Sequence, residues 1–300
     1  MNNEKELQEI INFINENSNE NTTEEDINAL LQQYMIEHNQ KPQIALKEKD
    51  AQTSDDFMEL AGSAKTLEDA LKYARKALKL DPNNLEAELF VADYSATDAI
   101  DNLKKAHIVL NHATKLMNEG GYMTKEYIGV FWLVLETRPY MRVLNHYFDA
   151  LIECGMMRLA IDQGEKMLRL CTSDNLGIRY RLMHLYAYLE LEEKALELHK
   201  KFDESSDTMF LLPLTVLYYK LNDTKTAKEY LNKLIRANKD TKRFFKIIGT
   251  DEFKKVANSM NSFGFRPFTI EEFFIELEEN AFLFSENLTF IDWAQKETRS

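Results

Sequence analysis

The sequence predicts an all-α protein, a superhelical stack of antiparallel helix pairs of the α-solenoid kind, and three observations carry that expectation. Glycine and proline number 9 and 5 in 300 residues, roughly 5% together against about 12% in average usage. That scarcity argues against turn-rich β-sandwiches and barrels and against the glycine loops of nucleotide-binding α/β folds. Apolar residues recur at helical spacing along most of the chain. A small residue at one helix position returns 35 residues on, from Ala160 to Ala195, and again after 32, at Ala227, which is the length of a two-helix repeat. With 44% hydrophobic and 29% charged residues the chain has enough apolar surface to bury a large core.

The elements follow in order. Leu7, Ile10, Ile11, Phe13 and Ile14 form a helical stripe over residues 1–17. Thr23, with Asp26 three residues on, opens a second helix through Ile27, Leu30, Leu31 and Met35 as a capping box. The polar stretch 39–54, containing Pro42, reads as a loop. From Asp55 the grammar changes to short paired helices. Thr66 starts a helix in which Ala70, Ala74 and Ala77 form a small-residue stripe ending at Asp81-Pro82-Asn83-Asn84. Small side chains there let two helices approach closely, and the proline stops the second from continuing. Longer helices are expected over roughly 97–117 and 124–136.

Downstream the stripe recurs as Ala160, Gly164 and Met167, then Ala195, His199 and Phe202, then Ala227, Leu231 and Leu234, with Gly155 at a turn. Helix–turn–helix units of this period are the tetratricopeptide repeat (TPR) pattern. The tail opens a Phe-rich helix with a capping box at Thr269 and Glu272. It reads as the polar-faced closure a repeat array requires. Phe274, Phe282 and Trp293 either pack there or face outward as a binding surface. The predicted organisation is an acidic helical segment over 1–40, a repeat array over 55–240 and an aromatic-rich helical cap over 241–300.

Two longer runs resemble a bacterial TPR-like family. These are Gly129 to Arg142, GVFWLVLETRPYMR, and Asp174 to Tyr180, DNLGIRY, which follow the family's FWxxLETRPYMR and DNxGxRY patterns. A repeat ending in Asp-Pro precedes them, and Arg266-Pro267 with Glu271-Glu272 follows, so the resemblance spans roughly 55–295. Phe268 and Thr269 stand where a Gly-Ser pair is more usual, and Leu176 where Gln is typical. The resemblance implies the fold and no particular chemistry.

Charge narrows the partner class. The formal net charge is −13, which disfavours a phosphate-backbone binder. Residues 1–40 hold nine acidic side chains and one basic one, Lys5, while 241–300 contribute about −2, so the middle of the chain is nearly balanced. Cys154 and Cys171 are too few for a disulfide framework. The start MNNEKELQEI has neither the basic nor the apolar region of a secretory leader. The longest apolar run, Met209 to Tyr219, is too short for a membrane span. These features predict a cytoplasmic protein with no membrane partner and no nucleic-acid partner.

No Walker, Rossmann, nucleophile-elbow or HExxH motif occurs, and the six histidines and two cysteines lack metal-ligand spacing. The expectation is therefore no catalytic residues, no metal, no cofactor and no enzymatic activity. His146 and His184 read as packed helical residues. The informative polar residues are those set in apolar surroundings. Trp132, Arg138, Tyr140, Arg142, Arg179 and Tyr180 are the candidate partner-binding residues, for an acidic peptide, carboxylate or phosphate in a concave groove. Glu136, Asp174 and Asn175 are the candidate structural network, with Pro139 in the first turn of one helix and Asp174 and Asn175 capping another. The leading expectation is a protein-interaction scaffold. The alternatives are a peptide-sensing regulator and, further off, an enzyme built on Glu136, Arg142, Asp174 and Arg179. The oligomeric state is left open.

Overall fold

The computed structural model describes residues 2–19, 22–39, 46–202, 206–260, 265–285 and 287–299. It is all-α, built from helices that pack against their neighbours in the chain, with no strand among the described residues. The chain divides into two compact units, Met1–Cys154 and Gly155–Ser300. Pro42 and the rest of 40–45, most of the first half of the expected 39–54 loop, lie outside the described residues.

In the first unit α1 (Asn2–Asn17) pairs with α2 (Glu24–Asn39). The Phe13 and Tyr34 rings meet edge to face at 5.5 Å. Thr23 and Asp26 exchange the expected reciprocal cap bonds. A single 3-10 turn, Glu48–Asp50, precedes α3 (Ser54–Gly62), α4 (Leu67–Leu80), α5 (Leu85–Tyr94) and α6 (Ala99–Glu119). Each helix opens on a side chain that answers its otherwise unpaired first-turn N–H groups. Thr53 forms a full capping box with Asp56, Thr66 accepts from Asp69 N, Asn84 from Ala87 N and Asp98 from Asp101 N. Ala74, Ala77 and Ala87 are fully buried against Met58 and Ala61, so the alanine stripe is the seam along which α3, α4 and α5 close.

The expected helix over 124–136 does not form. The chain runs in turns from Gly121, φ +74°, through Gly129, φ +105°, to a 3-10 turn at Leu135–Thr137. Three causes act together. Gly129 adopts a left-handed backbone that ends any helix. The run Ile128 to Leu133 has no 3.6-residue polar face. Phe131 is driven wholly into the core, where the buried Thr137 hydroxyl donates to its carbonyl and to that of Val134. After it α7 (Arg138–Glu153) starts with proline in its first turn, as expected.

The second unit contains α8 (Met157–Leu170), α9 (Ile178–Tyr188), α10 (Glu192–Phe202), α11 (Thr208–Lys220), α12 (Thr224–Ala237), α13 (Thr241–Ile247), α14 (Asp251–Ser259), α15 (Ile270–Glu279), α16 (Ala281–Ser285) and α17 (Leu288–Arg299). Its axis is α11, buried from Phe210 to Tyr218. It packs against α9, α10, α12, α15 and α17. A helix covered on so many sides has no polar face to show, which accounts for the long apolar run. The aromatic residues of the tail pack inward in the same unit. Phe244 stacks on Phe273 at 4.4 Å, Phe253 on Phe274 at 4.5 Å, Tyr188 meets Phe282 at 5.4 Å and Tyr219 meets Trp293 at 5.2 Å. Thr269 caps α15 by accepting from Glu271 N. The expected reciprocal partner, Glu272, turns inward instead and accepts from Asn238 Nδ2 at 3.1 Å. Asn238 is itself fully buried and also reaches Thr208 Oγ1 and the Thr269 carbonyl. One amide thus joins α11, the turn after α12 and the start of α15.

His184 on α9 and Glu276 on α15 form a second buried joint, at 0% and 2% side-chain exposure. His184 Nδ1–H donates to the Tyr180 carbonyl at 2.8 Å, which leaves Nε2 facing Glu276 Oε2 in short contact. Burial pushes the Glu276 carboxyl above its ordinary range, Glu279 and Asp207 add to that shift, and His184 opposes it. A single proton between Nε2 and Oε2 answers both buried atoms.

Two outcomes follow from this packing. Ala77→Leu should overpack the seam and lower the unfolding free energy by about 1–3 kcal/mol, read in urea melts, whereas Lys79→Leu on the exposed face should stay within about 0.5 kcal/mol. A carboxyl held protonated by the fold adds stability that is complete below its unfolded value and is lost as pH rises through its folded value. Denaturation from about pH 5 to pH 9 should therefore show the wild type losing stability relative to Glu276→Gln, whose amide keeps a donor at all pH. Parallel curves for the two proteins would refute the shared-proton assignment.

Candidate functional site

The ends of several helices in the first unit surround a cleft of about 640 Å³. Its floor is apolar, built from Met58 of α3, Leu85 of α5, Leu116 and Met117 of α6, Leu135 and Pro139. Its rim is acidic, with Asp55, Glu59, Asp81, Glu86 and Glu136 set, among the described residues, against one cation, Arg142. Local folding rules put these groups here. Asp81 Oδ1 accepts from Asn83 N at 2.9 Å and so shapes the turn after α4. Asn84 caps α5 through Ala87 N, while its amide donates to Ser54 Oγ at 2.8 Å and to Asp55 Oδ1 at 3.3 Å. Asp55 and Glu86 lie in the first turns of α3 and α5, where the helix dipole favours negative charge.

The run Gly129 to Arg142 builds one wall. Arg138 Nε donates to the Trp132 carbonyl at 2.7 Å. Its guanidinium lies 5.5 Å from the centre of the Trp132 ring, and that of Arg142 lies 5.9 Å away. Arg142 Nε also donates to Glu86 Oε1 at 2.5 Å, with both side chains about a quarter exposed. Glu136 is exposed on the lip. Burial first, then the Glu136 charge, push the nearby Tyr122 phenol up. Tyr140 stands in the core at 0% exposure, its hydroxyl 3.3 Å from Thr114 Oγ1, so it is beyond reach of a surface partner.

The run Asp174 to Tyr180 lies in the second unit and is bonded within it. Asp174 is buried and left-handed, φ +49°. Its carboxylate accepts from Ile178 N at 2.8 Å, Arg179 N at 3.0 Å and Arg179 Nη1 at 3.1 Å. It therefore caps α9 from beyond the formal cap position, which Gly177 fills at φ +68°. Arg179 Nη2 donates to Tyr180 OH at 2.6 Å, and that hydroxyl donates to Asp207 Oδ2 at 3.3 Å. The Arg179 guanidinium covers the Tyr180 ring at 4.2 Å and the Phe202 ring at 5.2 Å. Asn175 is exposed and accepts from Ser173 Oγ at 2.6 Å.

Each arginine thus takes a carboxylate of its own unit, Arg142 with Glu86 and Arg179 with Asp174. Glu86, Asp55, Glu59 and Asp81 did not stand out in the sequence. Their signal was present as first-turn and turn-forming acids, a pattern that every helix start shares. Among the described residues no group of three or more His, Cys, Asp or Glu side chains is placed to hold a metal ion. Among them, too, no helix is long and apolar enough to cross a membrane.

No protein-family model matches the chain, and no curated protein matches it. Among solved structures, the crystal structure of the MamA protein aligns with 63% of this chain and 94% of its own, at 16% identity and a TM-score of 0.43.

The Asp174 joint gives a direct test. Asp174→Ala removes the cap and the Arg179 partner and puts alanine at a positive φ, so it should cost about 2 kcal/mol or more in urea unfolding. Asn175→Ala should change the midpoint little.

Proposed function

We propose that the chain is a non-enzymatic protein-interaction module that holds a peptide or protein segment in the cleft of its first unit. The observation that carries the reading is the cleft's make-up, an apolar floor closed by helix ends and bordered by fixed polar groups. Recognition sites for extended segments have this form, area below and orientation at the edge. Because Asp81 shapes the turn after α4 and Asn84 caps α5 while holding Asp55, this part of the border is set before a partner arrives, which lowers the ordering cost of binding. Leu135, Pro139 and Arg142 serve as a rigid wall, backed by the Trp132 ring beside Arg142 and by Arg138, which holds the Trp132 carbonyl. Arg179 and Tyr180 serve to hold α9 to the start of α11. The charge balance argues against a nucleic-acid partner, and the free thiols of Cys154 and Cys171 suit a reducing compartment. The runs 129–142 and 174–180 also suit membership of the bacterial TPR-like family that they resemble.

Selection from a random peptide library tests the reading. Peptides chosen on the wild type should lose about tenfold in affinity for Asn83→Trp, which fills the cleft, and keep their affinity for Lys104→Trp on the exposed face of α6. Equal loss in both variants, or no selectable peptide, would refute it.

A further inference from the structure

The cleft carries more charge than its helices need. Among the described residues, five carboxylates and one guanidinium line it. The N-termini of α3, α5 and α7 open beside it, and each contributes roughly half a positive charge. Three such ends offset less than half of the net four negative charges, so the opening stays negative. We propose that the occupant is a cationic amphipathic segment of a partner protein, with lysine or arginine side chains against the rim and apolar side chains on the floor. This rests on the reading of the cleft as a peptide site and specifies its ligand.

Two further observations point the same way. The cleft already holds one guanidinium, that of Arg142, gripped by Glu86 and lying near the Trp132 ring. The chain's own side chain therefore shows how an incoming arginine is received, by carboxylate and aromatic face together. The floor residues Met58, Leu85 and Met117 are at most 5% exposed, and an apolar floor gives a bare metal ion or a small polyamine nothing to cover. An acidic segment would bring like charge into a confined space, which disfavours it strongly. A second copy of this chain is a poor occupant as well, given its net charge of −13.

The test uses the full chain and three short labelled probes of alternating pattern, Leu/Lys, Leu/Glu and Leu/Gln, read by fluorescence anisotropy in about 0.15 M salt. The lysine probe should bind about tenfold more tightly than the other two, and more weakly as salt rises. Asp81→Asn with Glu136→Lys should weaken it about tenfold, while Glu68→Lys with Glu153→Gln, the same charge change at the far ends of α4 and α7, should leave it within about twofold. Glu136→Gln alone, at an exposed position, gives a smaller loss in the same direction and covers the case in which the double variant unfolds. Equal losses in both double variants would overturn the proposal, because binding would then follow overall charge. A glutamate or glutamine probe that binds as tightly as the lysine probe, and is displaced by Asn83→Trp, would also overturn it while leaving the cleft as a peptide site. Indifference of every probe to Asn83→Trp would remove the peptide site itself.

Discussion

A helix leaves four N–H groups of its first turn unanswered, and most of this architecture turns on how the chain answers them. Thr53, Thr66, Asn84 and Asp98 do so in the first unit. Asp174, Asp207 and Asp223 do so in the second. Short helices cannot stand on propensity alone, so those that begin with such a cap are completed by burial of one face. The caps fix where one helix stops and the next begins. That register is what lets Ala74, Ala77 and Ala87 share one buried cluster.

The same chemistry accounts for the two arginine joints. Arg142 and Arg179 are each half-sheltered and each meet a carboxylate close to the start of a helix, Glu86 at α5 and Asp174 at α9. Partly buried pairs of this kind repay their desolvation only when geometry is fixed and further donors are satisfied. Both carboxylates meet that condition differently. Asp174 also accepts two backbone N–H groups, and the Glu86 partner is steadied by the Trp132 ring. Removing either acid would therefore disturb a turn as well as a charge.

The fold was legible in the sequence where local signals agreed. The alanine stripe, Pro82, the Thr23, Thr66 and Thr269 caps and Pro139 all stand where spacing put them. The helix expected over 124–136 does not form, because Gly129 breaks the stretch despite its length and hydrophobicity, and the demand of the core for Phe131 decides the backbone. Glu272 escaped the capping pattern because burial beside Asn238 offered a better partner than an exposed N–H. The candidate site was legible only in part of its wall. Arg142 stood out as a charged residue in apolar surroundings, with Trp132 and Arg138 behind it, whereas Asp55 and Glu59 on α3, Asp81 in the turn after α4 and Glu86 on α5 come from three elements that packing brings together. The sequence also drew attention to arginine and so to an acidic ligand, while the assembled rim is itself acidic.

Asp81 and Asn84 each serve two ends, shaping the turn after α4 or capping α5 and facing the cleft. Evolution cannot retune such positions for a new partner without touching the fold. Glu136 lies on the same border with no part in a turn or cap, so it is free to vary. Drift in ligand preference among descendants of this chain should accordingly run through that site first, with Asp81 and Asn84 held nearly constant even where the partner has been lost.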